Sequence, residues 1–431
     1  MEYGFLFDIA LILVSTKLLG LITRKFQMPQ VVGALLAGLL LGPAMLGLLQ
    51  PSTFLSNIAE MGVIVLMFSA GMDTNLQDLK KTGKAGMIVA LCGVLVPLVL
   101  GAVLMIFFNR GEFSYPGSKL LQNIFMGTIL TATSVSITVE TLKEIGKLST
   151  KTGNTILAAA LIDDILGLIC LTVVTSMAGA EVNIGIVLLK ILLFFVFVAV
   201  VAFLFMKLMG WYEHKVMHDQ NLRRLPILAF VLCLAMAFLA EEVFGVADII
   251  GAFAAGLIVS NTPKGSYIAS KFSPLSYLLL SPVFFANIGL KVELPKMDGF
   301  IILFSVMLVL VAVGSKLVGC GLGARFCGFT KLRQCIQVGC GMACRGEVAL
   351  IVANKGTALG MLNPVFFGPI IIMVVCCAVF TPIMLKLAFK GDAAYEGLQQ
   401  SDLVDSLQRH EQLDVVAQQI IEAEENRKKG S

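Results

Sequence analysis

The sequence predicts an all-α polytopic membrane protein with about 13 transmembrane helices, arranged as two inverted six-helix repeats joined by a linker helix. Three observations support this fold class: the composition, the distribution of Lys and Arg among the loops, and an internal repeat. Of the 431 residues, 58% are hydrophobic and 14% are charged, whereas soluble domains contain about 25% charged residues. One soluble core stops growing at ~250–300 residues, so this apolar excess requires a bilayer. The composition excludes soluble enzymes, secreted disulfide scaffolds and nucleic-acid-binding proteins.

Long apolar runs, separated by charged residues or by Pro and Gly, predict the individual spans. A span of ~20 residues crosses the ~30 Å hydrocarbon layer. The ten cysteines lie almost entirely within the apolar runs and form no Cys-x-x-Cys motif, so we interpret them as small buried side chains. The predicted spans are Phe5–Leu21, Gln30–Leu49, Asn57–Met72, Gly86–Phe108, Leu120–Glu140, Thr152–Met177, Gly185–Phe205, Leu225–Phe244, Ala247–Ser260, Pro274–Leu290, Phe300–Gly323, Gln334–Ala353 and Asn363–Leu387.

The Lys and Arg residues of the loops predict the orientation. The odd-numbered loops contain 17 of them and the even-numbered loops contain 5. Because basic loops are retained in the cytoplasm, the N-terminus is expected outside and the C-terminus in the cytoplasm. An odd number of spans requires the same arrangement. The predicted location is the cell (inner) membrane.

An internal repeat predicts the architecture. Gly33–Leu39 in span two returns as Gly251–Leu257 in span nine with five of seven residues identical, at an offset of 218 positions. At the same offset, Gly71 corresponds to Gly289. The offset covers seven spans, an odd number, so equivalent helices cross the membrane in opposite directions. Six spans, a linking span and six inverted spans are typical of secondary transporters, whose substrate site lies near the midplane.

Five ionisable residues fall near the middle of predicted spans: Asp163, Asp164, Lys316, Arg345 and Glu347. Each costs about 2.5–3.5 kcal/mol at a helix centre unless it is paired, neutralised or hydrated. Asp163 and Asp164 are adjacent and point about 100° apart on a helix, so one can face a cavity while the other contacts a neighbouring helix. Burial and the like charge favour protonation of at least one carboxylate. Such a carboxylate can exchange a proton for a cation.

Two spans contain residues that weaken a helix. The segment Thr131–Thr138 in span five is rich in hydroxyl and β-branched side chains, and Gly339–Glu347 in span twelve contains three glycines. Both segments therefore predict interruptions, which survive at membrane depth only beside a cavity. The hydroxyls of Thr133 and Ser134 and exposed backbone carbonyls are hard oxygen ligands of the kind that alkali cations prefer.

The basic side chains near the middle of the predicted spans require partners of opposite charge. Lys316 lies alone on span eleven, and Asp163 is its natural counter-ion. Arg345 and Glu347 are two residues apart and do not face each other on a regular helix. Either Gly346 changes the geometry or each pairs elsewhere, and we assign both to a structural charge pair rather than to direct ion contact.

With these motifs, the chain resembles the sodium/proton antiporter branch of the monovalent cation:proton antiporter-2 family over residues 5–388. The resemblance implies the sodium/proton antiporter fold, with two broken helices that cross in the core, and a homodimer that works by an elevator motion. It implies a transmembrane domain over residues 1–388. Its parts would be a dimerisation part (1–75 and 222–291), a core part (86–178 and 299–388) and a linker helix (183–210).

The resemblance also implies roles for the site residues. Asp164 would be the main cation ligand and proton carrier, and Asp163 would pair with Lys316 in the proton-loaded state. Thr133 and Ser134 would lie close to the ion, predicted to be Na⁺. The implied activity is electrogenic Na⁺/H⁺ exchange without a cofactor, so the protein is predicted not to be an enzyme.

Alternatives remain open at the level of the sequence. The cation is Na⁺, Li⁺ or K⁺, and a K⁺/H⁺ antiporter or a sodium-coupled solute symporter has a similar inverted repeat. The potassium branch usually has a different residue before its functional aspartate, and often a nucleotide-binding C-terminal domain, which argues for sodium here. An intramembrane aspartyl protease needs aspartates on two facing helices, whereas Asp163 and Asp164 share one.

Two further segments lie outside the predicted site. Residues 391–431 are polar with apolar residues at helical spacing, which predicts a cytoplasmic amphipathic tail that is either solvated or used for self-association. His214 and His218 are expected in the seventh loop, as part of a solvated face or as a pH sensor.

Overall fold

The computed structural model describes residues 4–25, 29–110, 118–177, 184–216, 224–262, 264–292 and 299–390, and in these ranges it contains helices and no β-strand. The predicted all-α class is therefore confirmed. A π-helical turn at Ser276–Leu280 and a 3-10 turn at Pro364–Phe366 join the α-helices. The α-helices are α1 Gly4–Lys25, α2 Gln30–Leu41, α3 Thr53–Met72, α4 Leu76–Phe108, α5 Lys119–Thr131, α6 Val135–Glu144, α7 Lys151–Met177, α8 Ile184–Val216, α9 Arg224–Glu242, α10 Asp248–Ser260, α11 Gly265–Leu275, α12 Ser281–Leu290, α13 Gly299–Phe326, α14 Leu332–Gly341, α15 Glu347–Ala358 and α16 Phe367–Phe389.

Many of these helices are long and apolar enough to cross a membrane. Within the described residues there are 10 such stretches, and Lys119–Glu144 and Gly265–Leu290 each count as one of them. Three shorter apolar helices add to these: Gln30–Leu41, Asp248–Ser260 and Val348–Ala358. The described part of the chain is thus built from membrane-spanning helices.

Several helix bounds differ from the sequence prediction for local reasons. Helix α2 ends at Leu41, because Pro43 cannot continue a helix and Gly47 adopts a positive φ of 62° in the turn that follows. Helix α4 begins ten residues early at Leu76, where the Asn75 side chain accepts a hydrogen bond from the backbone of Gln77 at 2.8 Å. Its polar first turns extend beyond the apolar run, so hydropathy does not reveal them.

The helices pack in two groups. In the first bundle, α1, α2 and α3 contact α9, α10, α11 and α12. In the second bundle, α4 packs between α13, α7 and α5, while α14 and α16 pack against α13. Contacts of α6 with α2 and α3 and of α16 with α2 join the two bundles.

Four glycines permit close approaches of helices in the first bundle. A Cβ added at Gly38 would overlap a carbonyl oxygen of α12, and one added at Gly289 would overlap a carbonyl oxygen of α2. In the same way, a Cβ added at Gly71 would overlap a carbonyl oxygen of α10, and one added at Gly256 would overlap a carbonyl oxygen of α3. These positions pair at the 218-residue offset of the sequence repeat, so the α2–α12 and α3–α10 contacts are equivalent.

Candidate functional site

Two helical spans are interrupted near the middle of the second bundle. Helix α5 ends at Thr131 and α6 begins at Val135, with Ser134 in an extended conformation (φ −92°, ψ 101°). Helix α14 ends at Gly341 and α15 begins at Glu347. The interruptions lie in the hydroxyl-rich and glycine-rich segments that the sequence analysis singled out.

The two breaks pack against each other. The backbone N–H of Ser134 donates to the Cys344 carbonyl at 3.0 Å, and the Thr138 hydroxyl donates to the Gly341 carbonyl at 2.7 Å. A Cβ added at Gly346 would lie 2.8 Å from the Ser134 side chain, so glycine permits this contact. The four half-helix ends therefore meet at one place in the bundle.

A buried ion pair lies beside the first break. The Lys316 ammonium of α13 donates to Oδ1 of Asp163 on α7 at 2.7 Å, and the two side chains are 0% and 1% exposed. The other oxygen, Oδ2, accepts a 2.7 Å hydrogen bond from the hydroxyl of Thr133. Both carboxylate oxygens of Asp163 thus have partners, as a buried charge requires.

Helix α4 closes over this ion pair at Gly93. A Cβ added there would lie 2.6 Å from Sγ of Cys320, 3.4 Å from the Asp163 carboxylate and 3.5 Å from the Lys316 ammonium. Sequence reasoning missed Gly93. The available signal was a glycine inside a long apolar helix, which costs ~1 kcal/mol relative to Ala and so indicates a packing reason.

Asp164 differs from its neighbour. Its Oδ2 atom is buried and has no hydrogen-bond partner among the described residues. A buried carboxylate oxygen without a partner is costly, and a proton or a cation removes that cost. Of the two adjacent aspartates, Asp164 is therefore the one with an oxygen available to an exchangeable ion.

Arg345 occupies the second break and is 0% exposed. One end of its guanidinium, Nη1, donates to the carbonyls of Met342, Ala343 and Cys344 at 3.3–3.4 Å, and Nη2 donates to the Ala312 carbonyl of α13 at 3.2 Å. The guanidinium therefore neutralises the partial negative charge at the C-terminus of α14. The Glu347 side chain lies outside the described residues, so its pairing with Arg345 stays a prediction.

Other sequence predictions have mixed outcomes. His214 lies in the last turn of α8 rather than in a loop, because the helix extends beyond its apolar run to Val216. The His214 side chain, His218 and residues 391–431 lie outside the described part of the chain. All ten cysteines are free, and no group of three or more potential metal ligands occurs among the described residues.

The structure also contains contacts between the bundles that the sequence did not indicate. Both carboxylate oxygens of Glu144, the last residue of α6, accept from the backbone N–H of Gln30 at 2.8 Å and so cap α2. The preceding Lys143 forms a 2.8 Å salt bridge with Asp73 at the end of α3. Since the partners are far apart in the chain, no local pattern reveals these pairs.

The chain is similar to known proteins over most of its length. A family model described as sodium/hydrogen exchanger, transmembrane, matches residues 10–391. The chain is 38% identical over 393 residues to the Na⁺/H⁺-K⁺ antiporter GerN of Bacillus cereus, covering 90% of this chain and 97% of that protein. It is 36% identical over 382 residues to a Na⁺/H⁺ antiporter of Enterococcus hirae, covering 88% and 96%.

A solved structure shares the fold. The sodium proton antiporter MjNhaP1 of Methanocaldococcus jannaschii superposes with a TM-score of 0.64 at 19% identity, covering 91% of this chain and 98% of that one. The apolar helices and these matches identify a multi-pass membrane transporter and confirm that it is not an enzyme. The chain belongs to the sodium/hydrogen exchanger family.

Proposed function

We propose that the chain exchanges Na⁺ for H⁺ across the membrane, and that the two ions compete for Asp164. One observation supports this assignment above the others: Asp164 has a buried oxygen without a partner, whereas both oxygens of Asp163 are engaged. Relatives that are 36–38% identical are named as Na⁺/H⁺ antiporters, which supports Na⁺ and H⁺ as the transported ions.

Competition follows from the chemistry of one carboxylate. A proton and a Na⁺ ion each neutralise the single negative charge of Asp164. Binding of both at once would leave a net positive charge in the buried site, so only one of them binds at a time. Additional ligands for Na⁺ are the hydroxyls of Thr133 and Ser134 and the backbone carbonyls freed by the break. All are hard oxygen donors, and together they replace the hydration shell of the ion.

The Asp163–Lys316 pair supplies an electrogenic mechanism. In the proton-loaded state Lys316 is protonated and paired with Asp163, as in this structure. When Na⁺ binds, Asp163 turns toward the ion, and Lys316 loses its counter-ion and releases a proton. Two protons per Na⁺ move one net charge, which is worth about 2.3 kcal/mol per 100 mV of membrane potential.

The movement between the two membrane faces would be an elevator motion of the second bundle along the first. The division of the helices into two packed groups supports this assignment, with the first bundle as the dimerisation part. The equivalent glycine contacts at the 218-residue offset support an inverted repeat. The homodimer, the inner membrane and the outward N-terminus belong to the same proposal.

The decisive experiment measures proton flux in everted vesicles after Na⁺ addition. Asp164→Asn should abolish exchange. The amide is not protonated near neutral pH, and it has no negative charge to balance a bound Na⁺ ion. Asp8→Asn on α1 is the matched control and should retain exchange. Exchange retained by Asp164→Asn, at normal expression, removes Asp164 from the mechanism; Na⁺ flux without proton flux in the unaltered protein rejects antiport.

Potassium is the second candidate ion, because the relative at 38% identity is named as a Na⁺/H⁺-K⁺ antiporter. The same assay with Na⁺, Li⁺ and K⁺ at equal concentrations separates the candidates. We expect the largest response to Na⁺. A K⁺ response that equals or exceeds the Na⁺ response would assign the protein to K⁺/H⁺ exchange.

A further inference from the structure

A groove of about 350 Å³ lies between α13 and α16 on the outside of the second bundle. This volume falls within the ~300–1,000 Å³ range of small-molecule sites. Leu310 and Phe380 on its rim are 61% and 47% exposed, so the groove opens away from the protein, where the acyl chains of the bilayer lie. Its lining is almost wholly apolar and includes Val309, Leu310, Val313, Gly314, Phe380 and Met384.

The groove lies directly behind the second break. Val313 and Gly314 follow Ala312, whose carbonyl accepts a hydrogen bond from Arg345 at 3.2 Å. On α16, Phe380 in the groove is followed by Thr381, which is 0% exposed. A molecule in the groove would therefore contact the helix segments that hold the break in place.

A basic corner, formed by Arg325, Lys331, Arg333 and Lys390, lies at the end of the same two helices. Arg325 donates to the carbonyl of the residue before Lys331 at 2.7 Å, and Arg333 donates to the Lys390 carbonyl, so the four residues are neighbours. All four side chains are exposed. Between residues 299 and 390 the sequence contains a single acidic residue, Glu347, at the start of α15. Helices α13, α14 and α16 therefore contain no acidic residue, and the corner at their ends is basic.

One face of α16 connects the groove to the corner. Phe380, Met384 and Leu387 recur on it at intervals of four and three residues, Leu387 is 63% exposed, and Lys390 follows the end of the helix. The ten residue steps from Phe380 to Lys390 correspond to ~15 Å at the rise of a helix. This distance is within the length of a phospholipid acyl chain.

We infer that the groove binds an acyl chain of an anionic phospholipid whose phosphate lies at the basic corner. Basic side chains near a membrane surface attract anionic headgroups, whereas a zwitterionic headgroup has no net charge to be attracted. The apolar lining accommodates the chain, and Leu387 continues its path. The site is independent of the ion pathway at Asp164.

The test uses the full chain in liposomes with photoactivatable lipids that have a diazirine in the acyl chain. Phosphatidylglycerol should label residues 309–314 and 380–384 roughly 10-fold more than phosphatidylcholine with the same chains. The double variant Lys331→Gln/Lys390→Gln should reduce phosphatidylglycerol labelling to the phosphatidylcholine level. The matched control, Lys119→Gln/Lys355→Gln, removes two exposed lysines elsewhere and should leave labelling unchanged.

A second pair of variants tests the groove itself. A Cβ added at Gly314 or at Gly299 on the same helix meets no atom within 4 Å, so both substitutions should be tolerated. Gly314→Leu should remove labelling by filling the groove, and Gly299→Leu should retain it. Equal labelling by the two lipids, or labelling of these peptides by neither, overturns the proposal. Labelling does not require transport, so this result is separate from the fate of the proposed exchange.

Discussion

The two breaks both interrupt a helical span, but their polar side chains have different partners. The first, at residues 132–134, contains no charged side chain, and its Thr133 hydroxyl donates to Asp163 on another helix. The second, at residues 342–346, contains Arg345, which donates to three carbonyls of the same segment and to Ala312. The side-chain hydroxyl of Thr133 in the first break is therefore directed toward a neighbouring carboxylate, whereas the side chain of Arg345 in the second is directed toward backbone carbonyls.

A buried charge in a membrane span is therefore not by itself evidence of an ion site. Arg345 is stabilised by carbonyl dipoles at the C-terminus of α14 and needs no mobile ion there. Asp164 is buried in part but retains an unpartnered oxygen. Arg345 also has one buried atom without a partner among the described residues, Nε, but that atom is a donor, whereas the unpartnered atom of Asp164 is an acceptor. The kind of atom that is left without a partner, rather than the presence of charge, therefore separates Arg345 from Asp164.

The largest effect is expected from removal of the internal support of the second break. Arg345→Ala removes a donor from four buried carbonyls, of which Cys344 keeps the Ser134 N–H and Ala312 keeps the Ser315 hydroxyl, and it creates a cavity. We therefore expect a loss of at least about 5 kcal/mol in unfolding free energy. Arg345→Lys keeps the positive charge but loses the forked set of guanidinium donors. Its unfolding free energy should lie between those of the unaltered protein and Arg345→Ala. Unfolding in mixed micelles measures this change. A variant with unaltered stability would show that the break does not depend on Arg345.

The ion pair beside the first break should give the next largest effect. Lys316→Met leaves Asp163 charged and buried with one hydrogen bond, which should cost about 3–5 kcal/mol. In the double variant Asp163→Asn/Lys316→Met no charge remains, and stability should recover substantially. The same unfolding measurement in micelles, applied to the unaltered protein, Asp163→Asn, Lys316→Met and the double variant, gives the coupling energy between the two residues. Additive losses in the double variant would contradict the pairing of these two residues.

The sequence predicts those features of the site that depend on local composition. The Thr131–Thr138 segment weakens a helix by its hydroxyls, and glycines weaken Gly339–Glu347, so both interruptions are visible in the sequence. The long-range contacts are not visible. Gln30 and Glu144 are 114 residues apart, and nothing near either residue specifies the other. The contacts of Arg345 with backbone carbonyls are not visible either, because a sequence shows charges but does not show where carbonyls point.

A smaller effect is expected at Thr133, where the first break contacts Asp163. Thr133→Val retains the shape and removes the hydrogen bond to Oδ2, so a charged acceptor loses one of two partners at a cost of about 1.5–3 kcal/mol. Thr133→Ser keeps the hydroxyl and should be close to the unaltered protein. Proton-flux assays should show a larger loss of Na⁺ affinity in Thr133→Val than in Thr133→Ser. Equal affinities would remove this hydroxyl from the ion site.

The smallest effect should come from the link between the two breaks. Thr138→Val removes the hydrogen bond to the Gly341 carbonyl, and a neutral buried bond contributes about 0.5–1.5 kcal/mol. The matched control is Thr141→Val, since that hydroxyl donates to Ile137 within its own helix. If the breaks act as one unit, Thr138→Val should also reduce the loss caused by Arg345→Ala, because the two changes affect the same end of α14. Independent losses would indicate that each break is held separately, and that their contact reflects packing rather than coupling.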